Sequence, residues 1–192
     1  MPVTQLDTRS ALVVIDLQQG TAAGEKAPYP INEVVSRTVT LADAFRNRGL
    51  PVVLVRMTSD GSDTPGRTDM SGRAPHVFPD GWDQLVDELS GHPEDIVVTK
   101  RNWGSFHGTD LDLHLRRRGV TQVVLTGIAT SIGVESTARA AYEHAYHVTL
   151  ATDAMTDLNP DAHQHAVQRV FPLLGETGDT AEIIELLAKT RN

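Results

Sequence analysis

Five short apolar runs, separated by longer amphipathic segments, constrain the fold of this chain more than any other feature. The runs are ALVVIDL (11–17), PVVLVRM (51–57), DIVVTK (95–100), QVVLTGI (122–128) and HVTLATDAM (147–155). Their near-continuous aliphatic character is typical of parallel strands buried on both faces of a sheet. The intervening periodicity predicts helices at about 32–48, 82–90, 109–118, 133–145, 160–172 and 180–189. This alternation predicts a three-layer α/β protein with a doubly wound, mainly parallel sheet of five to six strands.

The length and composition of the chain limit its domain organisation. With 192 residues, 40% of them apolar, the chain suffices for one sizeable core and is short for two ordinary domains. We therefore expect residues 1–192 to form one domain. Pro, Gly, Ser and Asp concentrate in residues 58–81, which is too long for an ordinary strand-to-helix loop. This segment is either a lid or rim over a site or a mobile insertion, and the sequence leaves both open.

Net charge and the lack of cysteine exclude several classes of function. The formal net charge of −8 disfavours nucleic acid and anionic membranes as partners. The basic run RRR (116–118) falls at the end of a predicted helix, where it favours the helix dipole; a polyanion site is the alternative. The sequence has no cysteine, which excludes disulfides, thiolate-bound zinc and cysteine nucleophiles. No apolar stretch approaches the ~20 residues of a membrane span, and MPVTQLDTRS lacks a secretory apolar core, so we expect a cytoplasmic protein.

Charged residues close two of the predicted strands. Asp16 follows four aliphatic residues, and Lys100 ends the third apolar run. Because ligands of open α/β sheets bind beyond the carboxyl ends of the strands, these positions are candidates for chemistry. Desolvation there raises the pKa of a carboxyl group toward the range useful for proton transfer, and a nearby lysine balances its charge. The alternatives are that Asp16 caps a loop and that Lys100 is a solvated side chain.

The stretch GIATSIGVESTAR (127–139) predicts a turn after the fourth strand and a helix from about Gly133. Gly127 lets the backbone bend, and free N–H groups at the helix start favour an anion or oxyanion. The chain has neither a G-x-G-x-x-G nor a Walker sequence, so the turn is not a dinucleotide or P-loop motif. A tight structural turn without a ligand is the alternative.

Three segments resemble, in order and spacing, the signature regions of the isochorismatase-like hydrolase superfamily: VVIDLQ, TKRNWGSFHGTDLDLHLRRRG and GIATSIGVESTARAAYEHAYHVTLATDAM. The resemblance covers residues 10 to 188 and implies that Asp16 and Lys100 are catalytic. It also implies a cis peptide between Ile128 and Ala129, with the amides of residues 129 and 133 as an oxyanion hole. The cysteine nucleophile of the amidase branch falls at Gly133, so this position is vacated.

The missing cysteine nucleophile at Gly133 limits which hydrolytic reactions we expect. Amidase branches attack a carbonyl with a thiolate, which this chain does not have. Isochorismatases hydrolyse a vinyl ether, for which the strand-end acid protonates the enol-ether carbon and water completes the addition. We therefore expect a cofactor-free hydrolase that cleaves a C–O bond of a small, anionic substrate through Asp16 and Lys100. Two alternatives stay open: a binding or regulatory protein that kept the fold, and an amidase in which water or a hydroxyl replaces the thiol.

Several further side chains are candidates for the pocket. We expect it to be lined by Gln18, Trp103, Phe106, Thr130 and Ser131. The aromatic pair is equally compatible with packing beneath the loop, and a hydroxyl nucleophile is disfavoured because no motif places a histidine base beside it.

The resemblance implies that a metal, as in the nicotinamidase branch, would need an Asp-x-His pair after the second strand. The segment RMTSDG has no histidine beside its acid, so we predict no metal. Four histidines are expected to be surface or core residues: His144, His147, His163 and His165. The expected partners are a small substrate and further copies of the chain in a dimer or tetramer, since Val77, Phe78 and Trp82 would be left exposed by a monomer.

Overall fold

The sheet of the computed structural model, which describes residues 1–59 and 78–190, has six parallel strands in the order β3-β2-β1-β4-β5-β6. The strands are β1 (Ser10–Ile15), β2 (Val52–Met57), β3 (Ile96–Lys100), β4 (Gln122–Ile128), β5 (His147–Thr156) and β6 (Glu176–Gly178). This confirms the predicted α/β class, since the order runs outward from β1 in both directions.

Helices cover both faces of this sheet. They are α1 (Gln19–Ala22), α2 (Ile31–Arg46), α3 (Leu111–Arg117), α4 (Glu135–Glu143), α5 (Pro160–His165), α6 (Phe171–Leu174) and α7 (Thr180–Lys189). A 3₁₀ turn spans Asp87–Leu89, and π-helical turns span Thr130–Val134 and Ala166–Val170. Among residues 1–59 and 78–190, no helix is long and apolar enough to cross a bilayer.

Two apolar clusters hold the layers together. On one face of the sheet, Val13 and Leu125 pack with α3 and α4; on the other, Leu12 and Val14 pack with α2 and α7. All six residues of β1 are buried, which explains its uninterrupted apolar character. Each fully buried Leu or Ile contributes about 1.5–3 kcal/mol relative to an exposed one, so the central strands are fixed firmly.

The reversal of strand order lies between β1 and β4. Consecutive strands run from β1 through β2 to β3 on one side and from β4 through β5 to β6 on the other. The connections after β1 and β4 therefore leave opposite faces of the sheet and open a crevice between their carboxyl ends. The residues after Ile15 and Ile128 border that crevice.

Two details of the predicted elements are wrong. Strand β3 lies at the sheet edge, and its Val97 is 52% exposed, so it is not buried on both faces. The helix expected at 82–90 is replaced by a turn, an isolated bridge at Leu85 and the short 3₁₀ turn Asp87–Leu89. Its backbone pairs instead with the segment after β1, because Gly20 N donates to Trp82 O and Val86 N to Leu17 O. Tertiary pairing thus overrides the local helical pattern.

The predicted lid or rim, 58–81, lies mostly outside the described residues, as does Val77. The two aromatic side chains at its end are half-buried against each other. Phe78 and Trp82 stack with ring centroids 3.8 Å apart, so they shield one another from water. The expectation that a monomer leaves both rings exposed is therefore corrected.

Candidate active site

Asp16 and Lys100 meet at the carboxyl edge of the sheet as an ion pair, which we call the catalytic pair after the role that the family resemblance implies for it. The Nζ atom of Lys100 lies 2.8 Å from Oδ2 of Asp16. Lys100 ends β3 and reaches past β2 to the end of β1, and it also donates to the carbonyl of Trp103 at 2.6 Å. Asp16 adopts the left-handed backbone conformation, with φ 54, directly after β1. This places its carboxylate at the strand-order reversal.

Burial tunes the protonation of Asp16. Lys100 is 1% exposed and Asp16 is 6% exposed. Desolvation raises the pKa of Asp16 to about 6, although the charge and hydrogen bond of Lys100 act in the lowering direction. The second carboxylate oxygen, Oδ1, is buried and has no hydrogen-bond partner among the described residues. An acid with this pKa can both give and accept a proton near neutral pH.

The connection after β4 forms the opposite wall of the crevice. Its first peptide bond, Ile128–Ala129, is cis, at the bond where the family resemblance implies one. The carbonyl of Ala129 then accepts hydrogen bonds from the amides of Ile132 and Val134, both at 3.1 Å. Helical conformation therefore begins at Thr130 and not at Gly133, which corrects the predicted helix start. The oxyanion hole formed by the amides of Ala129 and Gly133 stays a prediction.

Gly133 faces the catalytic pair. A Cβ atom built on Gly133 would lie 3.1 Å from Asp16 Oδ2 and 3.2 Å from both Ile128 O and Ile15 Cγ2. These contacts are tighter than ordinary van der Waals distances, so a side chain at this position would require Asp16 or the turn to shift. The backbone of Gly133 is helical, and its φ is not the reason for glycine. The room for the carboxylate thus lies at the residue where the family resemblance implies the nucleophile position.

A second group of buried polar residues supports this turn from behind, and we call Thr130, Asp157 and His163 the support cluster. The hydroxyl of Thr130 lies 2.8 Å from Nδ1 of His163 and 3.0 Å from the carbonyl of Thr156. Asp157 accepts from the amides of Ser131 and Leu158, both at 2.7 Å. The support cluster fixes the first two residues of the turn that carries Gly133.

Sequence reasoning missed Asp157 and the role of His163. Asp157 directly follows β5, so the strand-end rule that found Asp16 also applies to it. The spacing of His163 and His165 on a helix gave no indication that one of them contacts Thr130. No sequence motif places a histidine beside these hydroxyls, yet in the structure His163 reaches Thr130.

Three of the predicted pocket residues are committed elsewhere. Gln18 is fully buried, its amide donating to the carbonyl of Met57 and accepting from the Met57 amide. Phe106 packs in the core against Tyr146, on the side of α4. Thr130 is fully buried, with its hydroxyl turned to the support cluster. The structure thus shows packing and hydrogen-bond partners for all three, and their contact with substrate stays a prediction.

The other two pocket residues keep partial access. The side chain of Trp103 is 64% exposed, and its carbonyl, not its ring, touches Lys100. Ser131 is half-buried, and its amide is bound to Asp157. Their contact with substrate stays a prediction.

The predicted surface or core histidines divide by exposure. His144, His147 and His165 are exposed, whereas His163 is buried. Within residues 1–59 and 78–190, no three His, Asp or Glu side chains come together in a way that suits a metal ion.

Comparison with known proteins gives the family. The Isochorismatase domain model matches residues 10–182. The chain belongs to the isochorismatase family. This family member is 39% identical over 180 residues to the isochorismatase family protein YecD of Escherichia coli O157:H7, covering 93% of this chain and 96% of YecD.

Two solved structures extend the comparison. An isochorismatase family protein from Burkholderia thailandensis has a TM-score of 0.90 and 42% identity, covering 96% of this chain and 98% of its own. The N-carbamoylsarcosine amidase from Thermoplasma acidophilum has a TM-score of 0.75 and 28% identity, covering 90% and 97%. The predicted isochorismatase-like superfamily is therefore confirmed, and the protein is a hydrolase of this family.

Proposed function

We propose that this isochorismatase-family protein hydrolyses a small, anionic substrate by acid catalysis from Asp16, with a vinyl ether C–O bond as the preferred target. The observation that carries the proposal is a buried carboxyl group with a raised pKa of about 6 beside a residue without a side chain, in a chain without cysteine. On this proposal, the protein belongs to a subgroup of the family with glycine in place of the cysteine nucleophile.

Each atom of the catalytic pair has a part in the proposed reaction. The protonated carboxyl group of Asp16 gives its proton to the enol-ether carbon, and water adds to the resulting oxocarbenium ion. The water returns a proton to the Asp16 carboxylate, and the hemiketal splits into a ketone and an alcohol. Lys100, at 2.8 Å, stabilises the carboxylate that exists between these two transfers.

An amidase is the second candidate, because the similar structure from Thermoplasma acidophilum is an N-carbamoylsarcosine amidase. Without a thiol, such a reaction needs water or a hydroxyl as nucleophile. Thr130 is a poor nucleophile here, since it is fully buried and its hydroxyl bonds to the support cluster. Water activated by Asp16 acting as a base is the form of this candidate that the geometry favours.

The direction of the pH dependence separates these two candidates. An acid must be protonated, so kcat/KM for ether hydrolysis should fall as the pH rises through about 6. A base must be ionised, so kcat/KM for amide hydrolysis should rise through the same pH. The measurement uses isochorismate, related enol ethers, nicotinamide and N-carbamoyl amides, assayed with the purified protein from pH 4.5 to 8.

Two variants attribute the activity to this site. Asp16→Asn keeps the shape of the side chain but has no proton to give, so turnover should fall at least about 100-fold. Asp80→Asn, at an exposed position, is the matched control and should keep full activity. Full activity of Asp16→Asn contradicts the proposed mechanism. Binding of these compounds without turnover favours the remaining alternative, a binding or regulatory member of the fold.

We also propose that the protein is a closed homo-oligomer, a dimer or tetramer. Val97 on the edge strand and Trp103 beside the catalytic pair are 52% and 64% exposed, and exposed apolar side chains of this size favour association. Sedimentation at micromolar concentration should give a mass above the 20.9 kDa of one chain. A single species of that mass contradicts this proposal.

A further inference from the structure

His163 lies behind the crevice, on the helix that follows β5. It is 7% exposed, and the ring of Tyr29 packs edge-on against it with centroids 6.1 Å apart. Its Nδ1 atom lies 2.8 Å from the hydroxyl of Thr130, the first residue of the turn that carries Gly133. The imidazole is therefore one hydrogen bond away from the wall opposite the catalytic pair.

The direction of this hydrogen bond follows from the protons available. A threonine hydroxyl has one proton, and the carbonyl of Thr156, 3.0 Å from Thr130, can only accept. The Thr130 proton therefore goes to Thr156, and the imidazole must donate to Thr130 from Nδ1. Burial lowers the pKa of His163 and so favours the neutral ring, although the charge of Asp157 acts in the opposite direction. The neutral tautomer is then the one with its proton on Nδ1.

The consequence of this chain of hydrogen bonds is a fixed turn. Thr130 is anchored by His163, and the next amide, that of Ser131, is anchored by Asp157 at 2.7 Å. Two residues later, Gly133 has no side chain that could pack against Asp16 and fix the distance between them. The Gly133 carbonyl accepts a hydrogen bond from the Thr137 hydroxyl at 2.7 Å on the helix side, and the anchored start of the turn holds Gly133 from the other side.

We propose that His163 is a positioning residue for the hydrolytic site, which holds the Gly133 turn against the catalytic pair by donating a hydrogen bond from Nδ1 to Thr130. It contacts no reacting atom, and it acts through the hydroxyl of Thr130. The effect on turnover rests on the proposed function, whereas the hydrogen bond itself does not.

The first experiment compares two replacements of His163. The side-chain amide of Asn has an N–H near the place of Nδ1, whereas Leu has no donor. We expect His163→Leu to lower kcat about 10-fold to 100-fold with KM little changed, because a displaced turn misplaces the reacting groups. His163→Asn should recover most of that loss. His165→Asn, at an exposed position of the same helix, is the matched control and should match the unmodified protein.

A double-mutant cycle tests the route through Thr130. Thr130→Val keeps the shape of the side chain and removes the hydroxyl. If His163 acts through that hydroxyl, His163→Leu should cost little further kcat in the Thr130→Val background. Full additivity of the two losses overturns the proposal, and so does equal kcat in the Asn and Leu variants. A loss of kcat that follows the loss of folded protein, measured by urea unfolding, also overturns it.

A spectroscopic measurement stays informative if no substrate is found. In ¹⁵N-histidine-labelled full-length protein, the imidazole shifts of His163 should report a proton on Nδ1 and a bare Nε2 at pH 7.5. The Thr130→Val variant should shift this tautomer equilibrium. An Nε2–H tautomer in the unmodified protein overturns the inference, whereas failure of every candidate substrate bears only on the proposed function.

Discussion

Two groups of buried polar residues lie side by side at one edge of the sheet, and they differ in how completely they are paired. In the support cluster, both carboxylate oxygens of Asp157 accept backbone amides, and the Thr130 hydroxyl has two partners. In the catalytic pair, Asp16 Oδ1 has no partner among the described residues. Complete pairing holds a segment in place, whereas incomplete pairing leaves a group free to exchange a proton.

The two groups also differ in how their burial affects the stability of the fold. Desolvation is the largest effect on the pKa of Asp16, and it raises that pKa to about 6 despite the adjacent lysine. The ionised pair is therefore held at some expense of stability by the surrounding core. The support cluster faces the same burial, but its hydrogen bonds replace those lost to water. Substitutions should separate these two kinds of burial.

The largest effect should come from Lys100→Met, which leaves the Asp16 carboxylate buried without a cation. We expect a loss of about 3–5 kcal/mol in the free energy of unfolding at pH 8, because an unpaired buried charge remains. The pKa of Asp16 is 3.8 in the unfolded chain and about 6 in the folded protein. The contribution of this shift to the free energy of unfolding is therefore complete below pH 3.8 and is lost as the pH rises through about 6. Loss of Lys100 raises that pKa further.

Urea unfolding should therefore show that Lys100→Met lowers the free energy of unfolding less at pH 5 than at pH 8, relative to the unmodified protein. Lys189→Met is the matched control, since the Lys189–Glu185 pair is 65% and 68% exposed and should contribute little. An equal loss at both pH values would mean that packing, and not charge, holds Lys100 in place.

Gly133→Ala should have the next largest effect. The added methyl group would meet Asp16 Oδ2 at 3.1 Å and Ile128 O at 3.2 Å, so the carboxylate or the turn must move. We expect a loss of about 1–3 kcal/mol in unfolding free energy and a fall in kcat of at least about tenfold. Gly104→Ala is the control, because its nearest contact, Ser136 O, lies at an ordinary 3.5 Å. Equal kinetics for both variants would contradict the close packing of Gly133 against Asp16.

The two groups also differ in how far the sequence predicts them. Asp16 and Lys100 stand at the ends of apolar runs, and parallel strands bring such ends to one edge, so local pattern and topology suffice. His163 is different, because its partner Thr130 lies 33 residues away and the contact depends on how α5 packs. Gln18 is expected in the pocket, and the structure shows its amide paired with the backbone of Met57. Strand ends are predictable, whereas the direction of a side chain near them requires the packed structure.

The fold shows the same division. The five apolar runs correspond to β1 through β5, whereas the three residues of β6 carry too little pattern to be assigned. The segment 82–90 has helical spacing but pairs with the chain after β1, because the backbone groups there need partners.

Asp157→Asn should cost less stability than Lys100→Met and, unlike Gly133→Ala, should place no atom against Asp16. An amide keeps one acceptor oxygen and loses the charge, so one of the bonds from Ser131 and Leu158 is lost and the other weakens, without an ion being stranded. We expect a loss of about 1–3 kcal/mol in thermal or urea unfolding and an unchanged pH midpoint of activity. Asp161→Asn, which is exposed on the next helix, serves as control. A shift of the pH midpoint would show that the support cluster contributes to the proton transfer itself.

Trp103→Ala should have the smallest effect on the fold, although Trp103 is the residue that accepts a hydrogen bond from Lys100. The acceptor is its backbone carbonyl, at 2.6 Å, and alanine keeps that group. The ring is 64% exposed, so its removal should change the unfolding free energy by no more than about 0.5 kcal/mol. The pH midpoint of activity should also stay near 6, because the charges around Asp16 are unchanged. An increase in KM at constant kcat would place the ring against substrate. A loss of stability above about 1 kcal/mol would contradict the prediction and show that the indole, and not only the carbonyl, holds the lysine in position.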